Sequence, residues 1–170
     1  MIRKFGLLLV AAFALTLSVA LPSGASTPVS FTLTSGALSI SAPSVGVSLG
    51  TQIASTTSST MSGSLGVVVV SDQRGGTTTW TASVISTAFT PTAGPADPAS
   101  NVSYAAGPVV VSGPVVVTPV PASNLTGVST IMTAASTGIS TATWSPTISI
   151  VVPANFAPGV YTATITSSVA

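Results

Sequence analysis

Apolar and polar side chains alternate with a period of two along most of the chain beyond residue 25, the spacing at which one face of a strand is buried and the other solvated. Val29, Phe31 and Leu33 alternate with Ser30, Thr32 and Thr34, and Val45, Val47 and Leu49 alternate with Gly46 and Ser48; each stretch predicts a half-buried strand. Leu65 to Ser71 (LGVVVVS) is instead a continuous β-branched run, which predicts a strand covered on both faces, followed by the turn sequence Asp72-Gln73-Arg74-Gly75-Gly76. Between Thr77 and Phe89, the residues Trp80, Ala82 and Val84 share an inward face, with Thr79, Thr81 and Ser83 opposite. Ile148, Ile150 and Val152 then alternate with Thr147 and Ser149. After a turn over 153–159, Tyr161, Ala163, Ile165 and Val169 occupy one face and Thr162, Thr164 and Thr166 the other.

No stretch beyond residue 25 carries a convincing helical period; Met132 to Ala135 is the single helical candidate, and it is short and Thr-rich. The Pro-, Gly-, Ser- and Asn-bearing stretches 91–101 and 118–129 read as connections, and no linker is long enough to separate a second domain. Short strands with turn signals between them predict one all-β domain over residues 26–170, an immunoglobulin-like β-sandwich preceded by a signal peptide. That signal peptide is read from Arg3 and Lys4, the apolar stretch Phe5 to Leu21, and the small residues Ser23 and Ala25, which place cleavage after Ala25. The alternative for residues 1–25 is an uncleaved anchor, the apolar stretch being at the lower limit for spanning a bilayer.

Composition narrows the chemistry. The chain has 170 residues, only 3% of them charged and 46% hydrophobic, with no Cys and no His. The acids are Asp72 and Asp97, and beyond Lys4 the only cation is Arg74, so there is no basic stripe to meet phosphates and no nucleic-acid partner is expected. General acid–base catalysis needs a titratable group near the working pH, and a serine nucleophile needs an activating base; with neither His nor Lys beyond residue 25, no enzyme activity is expected. Asp72 and Asp97 sit in turn-like contexts. Neither a zinc nor a calcium ligand set is present, so no metal and no cofactor is expected. Asn101-Val102-Ser103 and Asn124-Leu125-Thr126 match the glycosylation tripeptide, which recurs by chance in a Ser/Thr-rich chain, and both asparagines read as loop residues. An exported chain without cysteine fits a Gram-positive type of surface better than a disulfide-stapled one.

One hexapeptide is nearly duplicated: Gly107 to Ser112 (GPVVVS) and Gly113 to Thr118 (GPVVVT). Val-rich edges can recruit strands from neighbours, which gives a self-assembling subunit of a fibre or surface layer; Pro108 and Pro114 instead suit edge strands that block further pairing.

Two stretches resemble the WxL family of bacterial cell-wall-associated surface proteins. Leu65-Gly66-Val67-Val68-Val69-Val70-Ser71-Asp72-Gln73-Arg74-Gly75 runs into Trp80-Thr81-Ala82, and the chain closes with Tyr161, three residues, Ile165 and then Val169. Ala82 stands where that family has its first Leu, and Ser167 and Val169 where it has its second Trp and Leu. The resemblance implies an extracellular protein held non-covalently on the wall, with peptidoglycan glycan or a surface protein as partner and no stable membrane span once the signal is cleaved. No LPxTG-like signal with an apolar tail closes the chain, so covalent sortase attachment is not expected. Trp80 and Tyr161 could stack on sugar faces if exposed, but their alternation with Ala82, Val84, Ala163 and Ile165 favours the core. Trp144, beside Pro146 at the start of a strand, is the better candidate for an exposed contact.

Overall fold

The computed structural model describes residues 25–170, so the signal peptide expected over residues 1–25 lies outside the described residues, apart from Ala25. Two units are distinguished, one ending at Leu33 and one covering Thr34–Ala170. Within Ala25 to Leu33 no strand forms, and Val29, Phe31 and Leu33 are exposed, contrary to the alternation there. An alternating segment becomes a strand only when a ladder satisfies its backbone, and this one has no ladder partner among the described residues. The stretch around Val45, Val47 and Leu49 also forms no strand. Pro43, Gly46 and Gly50 interrupt it, Gly50 taking a positive φ of 94° and bonding locally to Ser48 Oγ at 3.2 Å.

The second unit is an all-β sandwich. Its strands are β1 (Leu38–Ser41), β2 (Ser59–Ser64), β3 (Val68–Asp72), β4 (Thr78–Ser86), β5 (Thr90–Pro91), β6 (Val102–Ala105), β7 (Val109–Ser112), β8 (Val115–Pro119), β9 (Ala122–Ser123), β10 (Ser129–Ser136), β11 (Ser140–Trp144), β12 (Thr147–Val152), β13 (Tyr161–Thr162) and β14 (Ile165–Val169). All ladders are antiparallel, in the orders β1-β3-β11-β7, β2-β12-β6-β9, β14-β4-β10-β8 and β13-β5. Met132 to Ala135, the helical candidate, lies inside β10, where Met132 is buried: the partners on both sides override a weak local helical preference.

The first two ladders are one bent layer. β11 and β12 form a single central ribbon whose inward positions, Ser140, Ala142, Trp144, Pro146, Ile148 and Ile150, are all buried without a break in phase. Pro146 has no N–H to give a neighbour, and both neighbours bulge at that level. On one side Leu65, Gly66 and Val67 face Ser145 and Pro146, and Leu65 N–H donates to the Pro146 carbonyl at 2.9 Å. On the other side Ala106, Gly107 and Pro108 face the same two residues. Each bulge holds a glycine at positive φ, 89° at Gly66 and 71° at Gly107. An extra residue flips the alternation, so β2 turns odd-numbered residues inward and β3 even-numbered ones. The Leu65–Ser71 run therefore has one fully buried face, carrying Val68 and Val70, and one half-buried face, rather than two covered faces.

The second layer is β14-β4-β10-β8, and the inward faces of both layers share one apolar cluster. In immunoglobulin domains the second, fifth and fourth strands share one sheet while the third and sixth share the other. Here β4, β6–β7, β8, β10 and β11–β12 take those five places in chain order. The outermost ribbons are exchanged: β14 lies beside β4, and β2–β3 beside β11–β12.

Asp72 ends β3 facing inward, 1% exposed. Arg74 grips it with Nε on Oδ1 and Nη2 on Oδ2, both at 2.9 Å, and Thr78 Oγ1 donates to Oδ2 at 2.8 Å, closing the turn into β4. The hydrogen bonds from Arg74 hold the carboxyl far below the usual carboxylate range. Asp97 is also buried, and burial pushes its carboxyl up, opposed by the Asn101 side-chain amide, which donates to Oδ1 at 2.6 Å.

Two expectations follow for stability. Gly66→Ala must hold a left-handed φ and meet Pro43 Cγ at 2.8 Å, and should lose about 1–3 kcal/mol in urea unfolding. Gly46→Ala, with nothing within 4 Å, should not. The stabilisation from Asp72 is fully present above the unfolded carboxylate pKa of about 3.9 and is lost as pH falls below it. Asp72→Asn should lower the melting temperature at pH 7 and flatten the acid limb of the stability curve. Asp97 has the opposite sign, because its raised value favours the folded state at low pH, so Asp97→Asn should melt no lower than the parent at pH 7.

Candidate functional site

One part of each motif stretch, far apart in sequence, meets the other in one sheet, while Leu65 to Gly75 runs through β3 in the other layer and Tyr161 lies on β13. Trp80, Thr81 and Ala82 lie on β4, and β14 pairs with β4 in the register Val169↔Ala82, Ser168↔Ser83, Ser167↔Val84 and Ile165↔Ser86. Thr81 N–H donates to the Ala170 carbonyl at 2.8 Å, and Ala170 N–H returns a bond to the Thr81 carbonyl at 3.1 Å. Tyr161 lies on β13 opposite Pro91; its hydroxyl donates to the Ala157 carbonyl at 2.9 Å, and its ring centroid is 5.6 Å from that of Phe156. Tyr161, Ile165 and Val169 are half-buried, the last two against the core cluster.

The tryptophans are both interior. Trp80 is 3% exposed beside fully buried Ala82, as the alternation requires, and its Nε1 has no partner. Trp144 is 2% exposed, which corrects its reading as an exposed contact. Its strand lies between β3 and β7, and Trp144 shares the inward phase of Ser140 and Ala142. There its Nε1 donates to the hydroxyl of buried Tyr104 at 2.9 Å. Burial pushes the Tyr104 hydroxyl above its ordinary value. Tyr104 is not among the sequence candidates, although the alternation Val102-Ser103-Tyr104 carries the signal for an inward position.

With both tryptophans inside, the outward face of the β14-β4-β10-β8 sheet carries hydroxyls interspersed with Ile85, Val116 and Ala135. Thr118, Thr133 and Thr81 stand side by side across β8, β10 and β4. Adjacent strands lie about 4.8 Å apart, so these three hydroxyls repeat at that interval. Thr79, Thr166 and Ser168 extend the face, exposed, while Thr81 and Ser83 are half-exposed. None of these side chains is charged. A hollow of about 250 Å³ lies over β6 and β9, lined by Ser103, Ser123, Thr147 and Ser149 together with Ala105, Pro121 and Ala122. Among the described residues no cluster of His, Cys, Asp or Glu could hold a metal ion, and no helix is long and apolar enough to cross a membrane.

Comparison of the chain with protein-family models, with curated proteins and with solved structures gives no match.

The Trp144–Tyr104 bond makes a measurable claim. Trp144→Phe and Tyr104→Phe each leave a buried polar group unpaired and should each cost about 1–3 kcal/mol, with the double variant losing less than the sum. Trp80→Ala, which empties a core site, should cost about 3–5 kcal/mol, whereas Trp80→Phe gives up no hydrogen bond and should cost far less. Equilibrium unfolding of the variants measures all of these.

Proposed function

We propose that this chain is an exported, non-enzymatic protein of the bacterial cell surface that associates non-covalently with the wall through the sheet in which parts of its two WxL-like stretches meet. The observation that carries this reading is the register pairing of β4 with β14, which sets Trp80–Ala82 and Ile165–Val169, one part of each stretch resembling one family, side by side in one sheet. The ligand class is peptidoglycan glycan. Rows of threonine and serine hydroxyls on an uncharged face can exchange hydrogen bonds with sugar hydroxyls. Ser167, standing where the resembled pattern has its second Trp, turns inward in β14, so the contact is assigned to the outward hydroxyls and not to an aromatic stack. The absence of His and of Lys beyond residue 25 supports a binding role over catalysis.

A second reading, a subunit of a fibre or surface layer assembled by strand addition, is favoured by the placement of the GPVVV repeats. β7 and β8 are the edge strands of different layers, and Val110 and Val116 are 72% and 74% exposed.

The exported protein should co-sediment with purified peptidoglycan, changing by no more than about twofold between low and high salt, because hydrogen bonds and apolar contacts escape the screening that weakens exposed charge pairs. Thr133→Lys with Ser168→Lys, exposed positions that do not face each other across a ladder, should abolish co-sedimentation without moving the melting temperature. Protein that ignores purified walls at every salt concentration overturns the wall reading.

A further inference from the structure

Two features of the molecule lack a complement of their own. The first is the segment Val29 to Leu33, an alternating strand sequence that joins no ladder, with Val29, Phe31 and Leu33 exposed, Phe31 at 85%. Such a segment buries nothing on the side where its apolar residues stand. The second is the outer edge of β14, the last strand of its layer, hydrogen-bonded to β4 on one side only. Its inward residues Ile165 and Ser167 open onto a groove of about 280 Å³ that residues 42–47 and Leu49 of the same chain also line, whose apolar lining includes Leu65, Val68, Phe89 and Ile148 and contains no charged side chain. Ser167 is a small polar residue between Ile165 and Val169, so the groove is left unfilled from its own strand.

We propose that Val29–Leu33 of one copy adds as a strand along the free edge of β14 in a second copy, directing Val29, Phe31 and Leu33 into that groove. The proposal rests on the strand-addition reading above and moves its acceptor from the Val-rich edges of β7 and β8 to β14. Donor and acceptor agree in length, five residues each, and in spacing. Alternate side chains on both recur every 6.6–6.8 Å or so along a strand. Main-chain hydrogen bonds to the open edge supply affinity, and alternate side chains in the groove supply specificity. Neither segment contains a proline or a charge, so nothing removes a ladder donor or opposes pairing. Of the Val-rich edges, β8 is the poorer acceptor, because Pro119 lies within it. Because donor and acceptor are different surfaces, the contact is head-to-tail and each added copy presents a new free edge, the geometry of rings and open filaments.

The chain has no cysteine, so a disulfide between introduced residues reports one contact. Exported protein carrying Phe31→Cys alone is mixed under mild oxidation with differently tagged protein carrying Ser167→Cys alone. A mixed dimer should form, and a Val110→Cys partner should give none with Phe31→Cys. By sedimentation, Phe31→Asp should weaken self-association about tenfold or more, equivalent to about 1.4 kcal/mol, with an unchanged melting temperature. Val110→Asp with Val116→Asp should leave association intact. A disulfide closing within one monomer when both cysteines are on one chain overturns the proposal. So does association lost in the Val110/Val116 variant but kept in Phe31→Asp, although that result leaves the strand-addition reading standing. Protein that is monomeric at every concentration defeats both, and none of these outcomes bears on wall binding.

Discussion

The β11–β12 ribbon sets the geometry of everything around it. It runs through the middle of one layer with every even-numbered residue from Ser140 to Ile150 buried, and it carries a proline at a level where a central strand would normally donate to its neighbour. Both flanking ribbons respond by inserting one residue at that level, with Gly66 and Gly107 taking the left-handed φ the bulges need. The insertion reverses which residues face the core on each side. Val68 and Val70 are therefore inside although Met61 and Gly63, of opposite parity, are the inward residues of the preceding strand. Without that shift one half of each flanking ribbon would turn its apolar side to solvent.

The same phase decides where chemistry can occur. It sends Trp144 to the core, where Tyr104 satisfies its indole N–H, and the matching alternation on β4 sends Trp80 there too. The outer surface of the second layer is left with hydroxyls and a few small or aliphatic side chains, and Asp72 and Arg74 pair with one another at the β3–β4 turn. On the proposed wall-binding reading, contact through this face would proceed through hydrogen bonds and close packing, without strong electrostatic attraction. Weak, repeated contacts of that kind suit an extended polymer such as a wall glycan, where many copies bind along one ligand. Strand addition draws on a different resource, unpaired backbone at an edge, so the two modes can coexist in one molecule.

Much of the fold was legible from local pattern, because the direction of a strand side chain depends only on its parity within that strand. The inward positions of Trp80, Ala82, Val84, Ile148 and Ile150, the edge placement of the two GPVVV repeats, and the turn after Asp72 all follow from period two and from the absence of a proline N–H. The all-β sandwich follows from the same pattern, repeated in short segments between turn residues. Which strands pair is a different matter, since pairing is settled by contacts across the whole chain. Val29–Leu33 and Val45–Leu49 have strand-like alternation but no ladder, whereas Met132 to Ala135 has weak strand character and two flanking partners. Only the tertiary structure set β14 beside β4 and so brought Ile165–Val169 against Trp80–Ala82. Only it showed that Trp144, whose neighbouring Pro146 suggested an exposed start of strand, belongs to a central ribbon covered on both sides. The physical reason is that parity is a property of one strand, while burial requires a second surface, and the sequence near a residue does not say which distant strand will supply it.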